Sequence, residues 1–285
     1  MVNFVGAGTG AVDLITVRGM KLLSKADVII YAGSLVNKEL LGYAKEDCLI
    51  YDSSKLDFDE IMEIMLEAEK NGKMTVRLHT GDPSIYGAIR EQIAALFEDE
   101  TESLQIEVVP GVSSFTAAAA ALQAEYTLPG ISQSVIITRM EGRTPVPERE
   151  RLTELARHGA SMAVFLSASM AGEVSRALLS SGGYDEDTPA AIAYAVTHRD
   201  EKIIRCTVGS LEDAALSAGI TRTALILVGD FLKEGAVLEK SRLYAPDFST
   251  GYRRGSERQV IRCISFTDGG GMIAKKLGDA LGEEF

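Results

Sequence analysis

The sequence predicts an α/β protein of two domains, with a parallel sheet in the amino-terminal domain and a mixed sheet in the carboxyl-terminal domain. Through residue 122, short apolar runs alternate with segments of helical periodicity, which indicates a parallel sheet covered by helices. The alternation breaks at residues 123–133, where Pro129-Gly130 marks a loop. Beyond this break, strand-like runs at 190–197 and 202–208 are separated by so short a connection that an antiparallel hairpin is expected.

In the first domain, strands are predicted from apolar runs and helices from apolar residues three or four positions apart. Asp57 can cap one helix, which Asn71-Gly72 can end. The predicted strands are residues 2–5, 28–31, 48–51, 74–78 and 104–109, and the other predicted helices are 16–26, 36–44, 84–97 and a segment from the turn at 110–114 through 122. The run of alanines at 117–121 permits close helix packing.

In the second domain, a polar stretch at 142–151 separates the first two strands. The predicted strands are residues 134–140, 163–167, 190–197, 202–208 and 223–228, and the predicted helices are 169–180 and 211–218. We therefore assign the two domains to residues 1–123 and 134–235, with a tail at 236–285.

Composition narrows the class of protein. A hydrophobic content of 46% and a charged content of 25% are typical of a soluble globular protein. The net charge of −12 argues against a nucleic-acid partner. The amino terminus has no basic region of a signal peptide and no apolar run reaches the length of a membrane span, so a cytoplasmic protein without a membrane partner is expected. Three widely spaced cysteines, Cys48, Cys206 and Cys263, predict reduced thiols and no metal site.

Residues 78–92 read LHTGDPSIYGAIREQ and join a strand end to a helix through a tight turn. Gly81 permits close backbone approach, Asp82 can bond nearby amides and Pro83 fixes the backbone. The turn follows the carboxyl end of a predicted strand, which is where ligands bind in open α/β sheets. An ordinary capped loop is the alternative.

The first loop, GAGTGA at residues 6–11, fits the glycine pattern of a dinucleotide site. Such a site also needs an acidic residue at the end of the second strand, to bind the ribose. Asp27 begins that strand instead of ending it, which weakens the nicotinamide interpretation. His79, His158 and His198 are scattered and no nucleophile–base pair is recognisable, so the catalytic residues stay unassigned.

Three motifs in order, GAGTGAVDLITVRG, GDPSIYG and PGVSS, resemble the tetrapyrrole methyltransferase family, whose members use S-adenosylmethionine in cobalamin and sirohaem synthesis. Residues 31–36 (YAGSLV) and 77–82 (RLHTGD) are most similar to the branch that methylates ring carbon 11 of precorrin-4 or cobalt-precorrin-4. The resemblance covers roughly residues 1–235. Another precorrin methyltransferase, a diphthine synthase-type enzyme, an NAD(P)-dependent oxidoreductase and a non-enzymatic binding module remain alternatives.

The resemblance implies S-adenosylmethionine bound in a cleft between the domains, S-adenosylhomocysteine as product, a tetrapyrrole substrate and a homodimer. It implies that the cofactor is bound by Gly81, Asp82, Ile85, Ser113, Ser114, Leu166, Tyr194, Thr223 and Ala224. The two serines can also cap the following helix. The candidate substrate residues are Tyr31, Ser34, His79 and Arg139, and Arg18, Lys38, Arg143 and Arg199 are further basic candidates for binding substrate carboxylates. Family members usually carry proline where Thr9 stands.

The tail contains a predicted strand at 259–266, a glycine turn at 269–271 and a helix lined by residues 273, 277, 280 and 281. A solitary strand and helix leave a strand edge and an apolar face uncovered. The segment resembles the beginning of the cobalt-precorrin-5A hydrolase family, which predicts the remnant of a fused second enzyme. An extension that completes a dimer interface is the alternative.

Overall fold

The computed structural model describes residues 1–33, 35–98, 104–233, 235 and 242–255. The chain forms two compact units, Met1–Val237 and Leu238–Phe285. In the described part of the second unit, a 3-10 turn spans Arg242–Tyr244, and Arg253 donates to the carbonyls of Leu243, Ala245 and Phe248. The predicted tail strand and helix, as well as Ser34 and Cys263, lie outside the described residues.

The first sheet is parallel, as predicted. Its strands are β1 Val2–Gly6, β2 Val28–Tyr31, β3 Leu49–Asp52, β4 Thr75–His79 and β5 Ile106–Val109. Their order is β3-β2-β4-β1-β5, and every adjacent pair is parallel. Because all the carboxyl ends lie at one edge, the loops after these strands meet there.

The described residues of this half of the chain form four α-helices: α1 Val17–Leu23, α2 Phe58–Lys70, α3 Ile89–Glu98 and α4 Ser114–Leu122. Asp57 accepts from the Glu60 N–H in a capping box and Asn71 is the C-cap of α2, so both predicted boundaries are confirmed. The predicted helix at 36–44 is instead a 3-10 helix, Lys38–Tyr43, and it begins at Asn37, whose side chain accepts from the Glu39 N–H.

The helix predicted from residue 84 begins only at Ile89. Tyr86 and Ala88 have φ angles of 56° and 50°, and a left-handed residue cannot continue a right-handed helix. Between them, a Cβ on Gly87 would lie 2.1 Å from the carbonyl oxygen of Pro83. The turn is therefore tighter than helical periodicity indicates, and it extends the loop that follows β4.

The second sheet is mixed, as predicted. Its strands are β6 Val135–Arg139, β7 Ser161–Phe165, β8 Pro189–Tyr194, β9 Lys202–Thr207 and β10 Ala224–Val228. They are arranged β6-β7-β10-β8-β9, with β6 and β7 parallel and the other neighbours antiparallel. The predicted β8–β9 hairpin is confirmed. The carboxyl ends of β6, β7 and β8 and the amino end of β10 consequently share one edge.

One face of the second sheet packs against α5 Leu152–Ala156, α6 Ala171–Ser180 and α7 Leu211–Ser217. The short helix α5 has no counterpart among the predicted elements. No helix in the part of the chain that the structure describes has both the length and the apolar character needed to cross a bilayer.

The other face of the second sheet is covered by α4, the alanine-rich helix that follows β5. Ala117, Ala118 and Leu122 of α4 share a core with residues of three strands, namely the alanines Ala163, Ala191 and Ala193 and the larger Leu225. Small side chains on both surfaces let helix and sheet approach closely, so the close packing predicted for the alanine run is confirmed. The helix thereby connects the loops of the first sheet to the body of the second.

We expect Ala118→Leu to lower the free energy of unfolding by about 1–3 kcal/mol, because Ala118 is fully buried and the larger isobutyl side chain of leucine overpacks this core. Ala120→Leu is the matched control, since Ala120 lies on the same helix and is exposed. Urea unfolding monitored by circular dichroism measures both. Equal stability of the two variants would contradict the close packing of α4 on the sheet.

Candidate cofactor and substrate site

The loops after β1 and β4 are joined backbone to backbone at the carboxyl edge of the first sheet. The Gly8 N–H donates to the Gly81 carbonyl at 3.2 Å, and the Gly81 N–H donates to the Gly8 carbonyl at 2.7 Å. Both residues have positive φ, 78° and 63°, a region that glycine enters without steric cost. This pairing fixes the turn that contains Asp82 relative to the first loop.

Asp82 joins the β4 turn to the loop after β5. Its Oδ2 accepts from the Gly111 N–H at 2.9 Å, and its Oδ1 accepts from the Ser84 N–H at 2.8 Å and from the Ser84 hydroxyl. Partial burial raises the pKa of Asp82, but these hydrogen bonds outweigh it and hold the pKa below 3.8. The predicted bonding of nearby amides by Asp82 is confirmed, while cofactor contact stays a prediction.

The three loops are too close for a side chain at their contact points. A Cβ on Gly6 would lie 2.6 Å from the Gly111 Cα, and one on Gly111 would lie 2.1 Å from the Gly81 carbonyl oxygen. Gly81 in turn faces the start of α4, since a Cβ there would lie 3.7 Å from the Ser113 Cα. Gly81, Asp82 and Ser113, three of the predicted cofactor residues, are therefore neighbours.

Ser113 has the backbone conformation of an N-cap, with φ −72° and ψ 152°, but its hydroxyl makes no capping hydrogen bond among the described residues. The predicted side-chain cap is wrong for Ser113. Its carbonyl instead accepts from the Thr116 hydroxyl at 2.7 Å. The first-turn N–H groups of α4 thus have no hydroxyl cap from Ser113, and a helix amino terminus favours an anionic group.

The shared edge of the second sheet contains four non-glycine residues with positive φ: Leu166, Ala195, Thr197 and Thr223. Such conformations are costly, above all for a β-branched threonine, and they cluster at functional sites. Ala224 pairs with Tyr194 across β10 and β8, and the Ala195 N–H donates to the Thr223 carbonyl at 2.9 Å. The predicted cofactor residues Leu166, Tyr194, Thr223 and Ala224 therefore lie at one edge.

Two contacts bring the two edges together, and the space that the edges border is the candidate cleft. The rings of Tyr86 and Phe165 lie 5.4 Å apart, which connects the β4 turn to the end of β7. The Thr9 and Thr197 hydroxyls lie 2.8 Å apart and connect the first loop to the β8–β9 turn. Next to Phe165, the Leu166 side chain is 66% exposed, so it offers an apolar surface to a ligand.

The remaining predicted residues occupy different environments. Ile85 is half-buried in the β4 turn, where its N–H donates to the Asp82 carbonyl. Tyr31 is buried and donates to Asp52 Oδ2 at 3.3 Å; burial first, and then Asp52, raises the pKa of Tyr31. Arg139 donates to the carbonyls of Met140, Thr144 and Pro145, so its guanidinium organises the loop after β6.

Two of the further basic candidates have carboxylate partners within the chain. Arg18 pairs with Glu107 at 3.1 Å and Arg199 pairs with Glu39 at 3.3 Å. Both pairs are solvent-exposed and contribute little to stability. Substrate binding by these arginines stays a prediction, and it would compete with the ion pairs that already engage them.

Sequence reasoning missed Thr197 and Asn37. Thr197 accepts from the Ala11 N–H at 3.0 Å, and the Asn37 side chain donates to the Gly10 carbonyl at 2.8 Å. A threonine in a hairpin connection and an asparagine before a short helix carry no local signal of such contacts. Both act across long sequence separations, which periodicity and turn chemistry do not report.

The architecture of this chain consists of a parallel sheet and a mixed sheet. The candidate cleft lies at the carboxyl edge of the parallel sheet, where the GDPSIYG and PGVSS turns border it. Residues 1–212 match the model of the family described as Tetrapyrrole (Corrin/Porphyrin) Methylases. The chain belongs to this family.

Particular relatives match this chain over nearly the whole of their own length. The chain is 48% identical to the cobalt-precorrin-4 C(11)-methyltransferase of Methanocaldococcus jannaschii over 90% of this chain and 97% of the relative. It is 42% identical to the precorrin-4 C(11)-methyltransferase of Rhodococcus erythropolis over 81% and 91%. The X-ray structure of the cobalt precorrin-4 methyltransferase CbiF superposes with a TM-score of 0.78 at 46% identity, covering 81% of this chain and 95% of that one.

His79 ends β4 beneath the site. It is buried against Phe4, with ring centroids 6.0 Å apart, and its Nε2 has no hydrogen-bond partner among the described residues. Burial, and then the charge of the buried Arg77, lowers the pKa of His79 to about 3. The imidazole is therefore neutral at physiological pH, and contact with substrate stays a prediction.

We expect the stability of the protein to fall as the pH drops below 6.5, the ordinary pKa of histidine, because the unfolded chain then gains a proton at His79 that the folded chain lacks until about pH 3. Between about pH 6 and about pH 5, the free energy of unfolding should fall by about 1 kcal/mol more than in His79→Gln, which cannot titrate. Urea unfolding at several pH values measures the difference. If the free energy of unfolding depended on pH equally in the two proteins, His79 would be excluded as the source of the loss of stability.

Proposed function

We propose that this protein transfers a methyl group from S-adenosylmethionine to ring carbon 11 of precorrin-4 or cobalt-precorrin-4. The observation that carries the proposal is the 48% identity, over nearly the full length of both chains, to a relative named for this reaction. The cleft geometry supports it independently, because the turns matched by the family motifs meet at its border.

The residues present fit the cofactor. The first turn of α4 offers N–H groups to a carboxylate, and the exposed Leu166 offers an apolar surface to a flat ring. Asp82 acts through the loops it joins, because both of its oxygens already accept hydrogen bonds from Ser84 and Gly111. On this proposal Asp82 holds the binding surface in shape, and the loops around it make the contacts.

S-adenosylmethionine supplies, when bound, a methyl group already activated on a sulfonium. The protein has to provide alignment, since the reacting atoms must be held in line at roughly 3–3.5 Å. Hydrogen bonds fix the elements that border the cleft, with paired glycine backbones on one side and a strand edge containing left-handed residues on the other, and such fixed elements suit this alignment. No nucleophilic side chain is required of the protein for such a transfer.

The nicotinamide alternative is disfavoured by the position of Asp27. It lies at the amino end of β2, where Oδ1 pairs with Lys45 Nζ at 2.6 Å and Oδ2 accepts from the Met74 N–H at 2.7 Å. A ribose-binding carboxylate belongs at the opposite end of that strand. Sibling methyltransferases share the cofactor and differ in the substrate, so only turnover separates them from the proposed activity.

The proposed activity is tested by incubating the protein with S-adenosylmethionine and precorrin-4 or cobalt-precorrin-4, each supplied by the preceding enzymes. We expect S-adenosylhomocysteine and a tetrapyrrole heavier by one methyl group, detected by mass spectrometry, with the methyl located at carbon 11 by NMR. Uroporphyrinogen III serves as the control substrate. Methylation of the control but of neither precorrin would favour a sibling activity, and no methylation would refute the proposal.

We expect Asp82→Asn to weaken S-adenosylhomocysteine binding at least about tenfold, since one hydrogen-bonded oxygen becomes an amide NH2 that faces another donor. Ser84→Ala is the matched control, because it removes one hydroxyl donor and leaves the Gly111 contact intact. Calorimetric titration measures both affinities. Equal losses in the two variants would show that the link from Asp82 to Gly111 is not what shapes the site.

A homodimer and a cytoplasmic location are further inferences that rest on the family resemblance. The tail beyond residue 235 is inferred to be dispensable for methyl transfer, as a remnant of a fused second enzyme would be.

A further inference from the structure

We propose that Thr9 and Thr197 are positioning residues whose side chains clasp the first loop to the second domain. On this proposal, which rests on the proposed methyl transfer, the clasp sets where the tetrapyrrole lies relative to the cofactor. Neither residue belongs to the predicted cofactor set. The family resemblance also gives no role to Thr9, which stands where family members usually carry proline.

The clasp consists of two hydrogen bonds through one hydroxyl. Thr197 Oγ1 accepts from the Ala11 N–H at 3.0 Å and is hydrogen-bonded to Thr9 Oγ1 at 2.8 Å, where either hydroxyl can donate. A proline at position 9 would have no hydroxyl to offer. Compared with proline, Thr9 restricts the backbone less, but its side chain forms a hydrogen bond to a residue 188 positions away in the sequence.

Thr197 is held in an unfavourable conformation to make these bonds. Its φ is +67°, a left-handed value that a β-branched residue rarely adopts. Its N–H donates to the Glu201 carboxylate at 2.6 Å, and the turn is closed by the His198 N–H donating to the Ala195 carbonyl at 2.9 Å. A glycine would fit this backbone without strain, so the hydroxyl is the feature that distinguishes threonine here.

The backbone between Thr9 and Ala11, the two residues that bond to Thr197, is enclosed. Gly10 is buried, and a Cβ there would lie 2.4 Å from Cδ2 of the His198 ring. Its carbonyl accepts from the Asn37 side chain at 2.8 Å. Gly10 is thus held between the β8–β9 turn and the loop after β2, and its position is determined by the second domain as well as by the first sheet.

The clasped segment lies between the cofactor loops and an open surface groove. One residue before Thr9, Gly8 pairs with Gly81 next to Asp82. Beyond Thr9, residues 10–13 form one side of this groove, whose volume is about 660 Å³. Its other lining residues are Val36, Asn37, Glu39 and the turn at 197–200, none of which is a predicted cofactor residue. A shift of the segment would change the position of the groove relative to the cofactor loops.

Three variants separate positioning from support of the fold. Thr9→Val removes one hydroxyl at nearly constant shape. Thr197→Gly removes the other hydroxyl and at the same time relieves the left-handed strain, which offsets part of the stability lost with the two hydrogen bonds. Thr9→Ser retains the hydroxyl and is the rescue variant.

For Thr9→Val and Thr197→Gly we expect kcat to fall about tenfold with either precorrin, because misaligned reacting atoms slow the chemical step. The Kd of S-adenosylhomocysteine should change less than about twofold, since neither Thr9 nor Thr197 is among the predicted cofactor residues and the pairing of Gly8 with Gly81 is retained. Thr9→Ser should restore the kcat of the wild-type protein. A parallel loss of cofactor affinity, or an unchanged kcat, would overturn the proposal.

Hydrogen exchange of the Ala11 amide provides a readout that needs no substrate. We expect it to accelerate at least about tenfold in Thr197→Gly, because the Ala11 N–H loses its acceptor, and to remain slow in Thr197→Ser. Unchanged exchange in Thr197→Gly would overturn the clasp itself. If the wild-type protein methylates no tetrapyrrole, the proposed function fails, and the exchange result still decides whether the clasp exists.

Discussion

The arrangement of the cleft depends on one ionised carboxylate. Asp82 bonds to the Ser84 amide in its own turn and to the Gly111 amide in the loop after β5. The turn is also paired with the first loop through Gly8 and Gly81. Three loops that follow three neighbouring strands are thereby held as one surface, although few side chains pass between them. Charge-assisted hydrogen bonds to backbone amides suit this role because they are short and directional.

The second half of the cleft is positioned by helix packing. Helix α4 starts at the loop that Asp82 holds and then lies on the second sheet, where alanines meet alanines across the contact. The packing of α4 on the second sheet therefore relies in large part on methyl-sized side chains. The domain boundary in the sequence, a break in alternation near residue 123, comes after α4 and does not reveal that this helix serves both domains.

Much of the fold could be predicted from the sequence because its signals are local. Apolar runs predicted both sheets, the short hairpin connection predicted the antiparallel pair β8–β9, and Asp57 predicted the start of α2. The failures involve conformations that no local pattern encodes. The late start of α3 follows from left-handed Tyr86 and Ala88, whose backbone is fixed by the turn around them.

The residues of the candidate site also fall into two groups, those that could be recognised from the sequence and those that could not. The turns with Gly81, Asp82 and Ser113 could be recognised from their motifs, because a tight turn needs particular residues at particular spacings. Thr197 could not be recognised, since its role arises only when the first loop and the β8–β9 turn are brought together by the tertiary fold. The clustering of left-handed residues at one strand edge is likewise visible only in three dimensions.

The close approach of Gly6, Gly81 and Gly111 has a consequence for any attempt to change substrate preference. A single methyl group at Gly6 or Gly111 would meet backbone atoms at 2.6 Å or 2.1 Å, more than about an ångström inside ordinary contact, and the backbone has no rotamer with which to yield. Libraries that diversify this surface would therefore lose most members at these positions for steric reasons alone. Tyr86 in the β4 turn and Leu166 at the edge of the second sheet have exposed side chains, and there sequence variation can alter recognition while leaving the scaffold as it is.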